Sequence, residues 1–118
     1  MSCAPCDSLL QQAVRAQAAR TDVYLDIPAC HNRLRVQASP ASSVTAGIVK
    51  VLLGVQDPSK PGTWLFGSIG SIAYSAEGGQ VTSTMAPDIQ HQLRIMVVGY
   101  ASASAGELVV LVESWREA

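Results

Sequence analysis

Two cysteines near the start of the chain have the spacing that chemistry requires. Cys3-x-x-Cys6 is the arrangement in which two thiolates share a metal ion or form a redox pair, and Cys30-His31 adds two further ligand types. A structural zinc site usually takes two ligand pairs, each with residues between its members. Adjacent residues such as Cys30 and His31 rarely both point at one ion. Three cysteines are also an odd number for a disulfide framework. The sequence therefore reads Cys3, Cys6 and Cys30 as unpaired thiols, with zinc held by Cys3, Cys6, Cys30 and His31 as the alternative. On this reading the core, and no covalent cross-link, holds the domain together. No cofactor is expected.

Catalytic patterns are weaker still. Gly67-Ser68-Ile69-Gly70-Ser71 lacks the spacing of a nucleophile elbow, and its glycines suit a bulged or tightly packed strand. Glu77 and Asp88 are the carboxylates best placed to pair for glycoside hydrolysis. Each sits beside Gly or Pro in a turn, where a solvated carboxylate is the expected state. His31 falls in a turn and His91 beside a strand, positions typical of satisfied or solvated side chains. No Gly-rich phosphate loop precedes a helix. The chain is expected to have no catalytic residues.

Aromatic side chains offer a different function. They are Tyr24, Trp64, Phe66, Tyr74, Tyr100 and Trp115. Trp64 and Phe66 stand two apart, on one face of a strand, beside the Pro-rich segment 56–62. Trp64, Phe66 and Tyr74 are the candidate binding residues, by stacking of a sugar ring. A core or subunit contact is the competing reading of the same residues.

The elements that must position these residues follow from the periodicity. Leu9, Leu10, Ala13, Val14 and Ala16 fall on one side at helical spacing, so the segment 1–20 reads as an N-terminal arm with a short helix. From Thr21 the period becomes two. Val23, Leu25 and Ile27 alternate with Asp22, Tyr24 and Asp26, and Arg33 to Ala38 alternates again as a hairpin partner. Val44 to Val55 is a long strand whose Gly47 and Gly54 mark a bulge or a close approach. Pro58 and Pro61 break the ladder after it. Strands follow at 63–66 and 80–85, then a terminal pair at 92–100 and 107–115, read as a hairpin. That pair carries the consecutive apolar runs Ile95–Val98 and Leu108–Val112, which predict burial on both faces. The fold class is a mainly antiparallel β-sandwich or jelly roll, with residues 21–118 as the sandwich domain.

Composition narrows the function further. Hydrophobic residues are 48% of the 118 and charged residues 14%, with a formal net charge of −1. That balance leaves no electrostatic footprint for nucleic acid. No apolar stretch approaches the ~20 residues of a membrane-spanning helix, and the first residues lack the basic and apolar regions of a secretory signal. Synthesis and folding in a cytoplasm are expected. From Val36 to Gly106 there are only six charged residues: Lys50, Asp57, Lys60, Glu77, Asp88 and Arg94. A surface so poor in charge suits a chain packed against something else.

In its short strands, its Ala/Ser/Gly turns such as 101–106 and its separable N-terminal segment, the chain resembles small virion proteins of tailed bacteriophages, of the capsid decoration or cement type. The resemblance covers residues 21–118 in style and carries over no site residue. It implies a homo-oligomer, often a trimer, that stabilises a shell by contacts with itself and with a major capsid protein. Its location would be the virion, after synthesis in the host cytoplasm. The alternatives are a carbohydrate-binding β-sandwich module using Trp64, Phe66 or Tyr74, and a receptor-binding head or tail fibre protein.

Overall fold

The computed structural model describes residues 9–16, 20–38, 44–73, 79–86, 89–102 and 108–117. It contains eight strands: β1 (Leu10–Ala16), β2 (Arg20–Ile27), β3 (Arg33–Ala38), β4 (Val44–Gln56), β5 (Trp64–Ala73), β6 (Gly79–Thr84), β7 (His91–Ser102) and β8 (Leu108–Trp115). They form two antiparallel four-stranded sheets. The first has the order β1-β8-β3-β6 and the second β2-β7-β4-β5. Except for the β4–β5 hairpin, each strand is followed by one in the opposite sheet, which is the strand order of a jelly roll. The fold is the antiparallel β-sandwich that the alternation predicts.

The core lies between the sheets and is built from every second residue. Leu34, Val36, Val110 and Val112 from the first sheet meet Ile27, Val49, Val51, Leu93, Ile95 and Val97 from the second, all at most 1% exposed. Burying each such side chain contributes about 1.5–3 kcal/mol before the entropy of ordering it. The principal extents are 49 × 31 × 18 Å, and the shortest suits two sheets about 10 Å apart with side chains on both outer faces.

Three expectations need correction. Residues 10–16 form a strand, not a helix, paired with β8 from Leu10↔Ser114 to Ala16↔Leu108. Val14 is buried while Gln12 and Ala13 are exposed, so this piece of the expected arm supplies an edge of the sandwich. The strands expected as hairpins, β2 with β3 and β7 with β8, do not pair. β3 lies between β8 and β6, while β7 lies between β2 and β4. Finally, residues 10–16 lie at a sheet edge and do not cover the outer face of the apolar runs in β7 and β8. Within this single chain those runs are buried on one face. Met96, Val98, Val109 and Leu111 point outward and are half-buried.

The glycines behave as the sequence suggests. The register of β4 against β7 shifts around Gly47, and β4 against β5 shifts between Val51 and Leu52, where Ile69 is the extra residue. A Cβ on Gly70 would come within 2.9 Å of the Val81 side chain, which marks a tight approach between β5 and β6.

Candidate binding face

The outer face of the second sheet collects most of the described aromatic mass that lies outside the core. In antiparallel sheets directly paired residues share a face, so the register assigns this one. Gln56↔Trp64, Gly54↔Phe66, Leu52↔Ser68 and Lys50↔Ser71 point away from the core, as do Gln92, Arg94 and Met96 on β7 and Asp22, Tyr24 and Asp26 on β2. Trp64 and Phe66 do share a strand face, as their spacing predicts. Tyr74, Glu77 and Asp88 lie outside the described residues.

Phe66 lies down on this face. A Cβ on Gly54 would sit 2.8 Å from two carbons of the Phe66 ring, so the ring occupies the space that any larger residue would fill. Its other neighbour is Tyr24, with ring centroids 5.9 Å apart and planes tilted by 60°. That is within the range of favourable aromatic pairs. Phe66 is on β5 and Tyr24 on β2, three strand spacings away, about 14 Å at the usual separation. Both side chains must therefore lean inward across the two central strands. Tyr24 is 49% exposed. Sequence reading missed it, although its alternation with Val23 and Leu25 already placed it on the outward face.

Polar groups frame the rings. The Arg94 guanidinium stands 5.3 Å from the Tyr24 ring centroid and pairs with Asp22 at 3.1 Å. Gln92 Nε2 donates to Asp26 Oδ1 at 3.2 Å. Further along β4 and β5 a hollow of about 400 Å³ is lined by Lys50, Leu52, Ser68, Ser71 and Met96. From Trp64 to Ser71 the face runs about 23 Å at the usual rise of a strand. The turn before Trp64 is well fixed. Asp57 Oδ1 accepts from Ser59 N at 2.9 Å and Ser59 Oγ at 2.7 Å, and these bonds, the hydroxyl's first, hold its carboxyl below the usual range. Gly62 closes the turn with φ +89°.

The expectation of unpaired thiols and of no covalent cross-link is corrected by one observation, which also removes Cys30 from the zinc alternative. Cys30 is disulfide-bonded, so its sulfur is not available as a thiolate ligand. The chain's other cysteines, Cys3 and Cys6, lie outside the described residues. Among the described residues no group of three His, Cys, Asp or Glu side chains stands together. His31 is 1% exposed, with its Nδ1 2.8 Å from Ser114 Oγ. His91 is also buried, and loss of hydration holds its pKa below the ordinary value, with a backbone bond to Ile89 acting the other way.

No protein-family model matches the chain, and no curated protein matches it significantly. A solved structure, from work on the structural basis for the promiscuous specificity of carbohydrate-binding modules of the β-sandwich superfamily, aligns with a TM-score of 0.49 at 13% identity. The alignment covers 89% of this chain and 53% of that one, so this chain spans about half of its length.

Proposed function

We propose that the protein is a carbohydrate-binding module, a binding protein and not an enzyme, which holds an extended sugar chain on the outer face of its second sheet. The observation that carries this reading is the ring surface made by Phe66 over Gly54 and against the exposed Tyr24, with Trp64 next on the same strand. A sugar ring presents a flat patch of C–H bonds edged by hydroxyls. It needs a rigid aromatic surface with donors and acceptors beside it. Asp26, Gln92, Gln56, Ser68 and Ser71 supply both kinds of group along the same face. Asp22 pairs with Arg94, and Asp26 and Lys50 on the same face are opposite in sign, which favours a neutral polysaccharide. The bonded Cys30 supports a working location in an oxidising compartment or outside a cell. Depletion of the purified protein from solution by insoluble cellulose, xylan, mannan or β-1,3-glucan tests the reading. Retention by at least one, reversed by the matching soluble oligosaccharide, is expected. Recovery of all the protein in every supernatant would overturn it.

A second reading is a structural component of a viral particle that assembles with copies of itself. It draws on the far end of the same face, where Ile48 is 43% exposed and Met96 and Val98 are half-buried. A face of this kind is suited to contact with another chain. Sedimentation showing a stable trimer in the absence of any glycan would favour it, and a monomer at all concentrations would oppose it.

A further inference from the structure

A second hollow, of about 360 Å³, lies on the outer face of the first sheet between β3 and β6, walled by Arg33, Thr82, Thr84, Trp115 and Glu117. Its size falls in the range of small-molecule sites, roughly 300–1,000 Å³. It shares no residue with the face described above.

Its walls are held in place from behind. The Arg35 guanidinium stands 6.0 Å from the Trp115 ring centroid. Arg35 is itself fixed by Glu113, which accepts from Arg35 Nε at 2.9 Å and from Arg35 Nη2, and whose second oxygen accepts from Gln11 Nε2 at 3.3 Å. Glu113 is only 7% exposed, so the half-exposed Arg35 is anchored on a buried carboxylate. The opposite wall is tied by Asn32. Its Nδ2 donates to the Glu117 carbonyl at 2.9 Å, and its Oδ1 accepts from the Glu117 N–H at 2.8 Å. That two-way clamp sets the Glu117 carboxylate 3.1 Å from Arg33 Nε.

We propose that this hollow binds a single neutral pyranose ring, seated against Trp115 with two neighbouring hydroxyls shared between Arg33 and Glu117. A vicinal diol is the group that matches such a pair. One hydroxyl oxygen accepts from the guanidinium while the next hydroxyl donates to the carboxylate. The two protein charges offset each other, so an acidic or a basic ligand gains less than a neutral one. The hydroxyls of Thr82 and Thr84 meet the far edge of the ring. At about 360 Å³ the open hollow has room for one ring, whereas the second sheet offers a longer face.

The chain's two tryptophans, Trp64 and Trp115, report the two sites separately. Their indole N–H resonances in a 15N-labelled sample of the full chain are assigned with Trp64→Phe and Trp115→Phe. The probes are the methyl β-glycosides of glucose, galactose and xylose and the methyl α-glycoside of mannose. Saturable movement of the Trp115 resonance with at least one probe is expected. Arg33→Gln and Glu117→Gln should each weaken that binding roughly fivefold, the scale of one hydrogen bond, while spectral dispersion shows that the fold persists. A Trp115 resonance that no probe moves, or one that moves equally in both variants, overturns the proposal. Movement of the Trp64 resonance alone overturns it too and leaves the reading of the second sheet intact.

Discussion

On the outer face of the first sheet the Trp115 ring is backed by charge, through Arg35 and the buried Glu113. On the outer face of the second sheet the Phe66 ring is backed by a glycine, with Tyr24 at its side. Both faces come from the same alternation over one shared core. The difference lies in what a mutation disturbs. Removing the charge under Trp115 leaves partners unsatisfied, so it should cost stability. Altering the surface under Phe66 should move a ring and change binding while leaving the core alone.

The core common to both faces sets the largest effect. Val97 in the second sheet and Val110 in the first are both 0% exposed. Val97→Asp and Val110→Asp each bury an unpaired carboxyl group, at a cost of several kcal/mol. That is comparable with the whole stability of a small domain. Circular dichroism should show both variants unfolded to a similar extent. If only one unfolds, the sheets do not contribute equally to a single core.

The alternation that identifies this core was legible in the sequence for β2, where Val23, Leu25 and Ile27 oppose Asp22, Tyr24 and Asp26. It was misread at β1 for a definite reason. Residues i and i+4 share a side in a helix and in a strand alike, so Leu10 and Val14 satisfy both periods. Ala13 and Ala16, which fall on the same helical side, then tipped the reading to a helix. Alternation also fixes a face and not a partner. Short links made β2–β3 and β7–β8 look like hairpins, although each link crosses between the sheets. The Trp64 and Phe66 face was readable from their spacing. Its completion by Tyr24, and the contact of Arg35 with Glu113 across 78 positions, depend on which strands become neighbours. The disulfide at Cys30 was hidden by an odd cysteine count.

That disulfide gives the next largest effect. Reduction, or Cys30→Ser, should lower stability by about 2–5 kcal/mol, as for native disulfides in small domains. Thermal melts with and without reductant check this, and unchanged melting would show that the bond contributes nothing. The charge-backed face comes third. Glu113→Ala should cost about 1–3 kcal/mol, because it strips a buried acceptor from Arg35 and Gln11. Asp22 is a more exposed carboxylate than Glu113, so Asp22→Ala, which removes the pair with Arg94, should cost at most about 1 kcal/mol. Equal losses in urea unfolding would erase the distinction between the two faces.

The smallest effect is a pH dependence. His91 is held neutral by burial, with its pKa below the ordinary 6.5. The unfolded chain binds this proton more readily, so its contribution is fully present above about pH 6.5 and is lost as the pH falls toward the folded value. His91→Leu should flatten that part of the stability profile. A slope between pH 5 and 6.5 that the substitution leaves unchanged would assign the dependence to another group.

The central claim is that Phe66, Tyr24 and Trp64 form a sugar-binding surface on the second sheet. Its most direct test is calorimetric titration of the full chain with cello-, xylo-, manno- and laminari-hexaose, repeated with Phe66→Ala, Trp64→Ala and Gly54→Ala. The account predicts that at least one hexasaccharide binds. It predicts that each variant loses about tenfold or more in affinity, ~1.4 kcal/mol, while its melting temperature stays close to that of the parent. Binding that survives all three substitutions, or four hexasaccharides that give no heat with the folded parent, would contradict it.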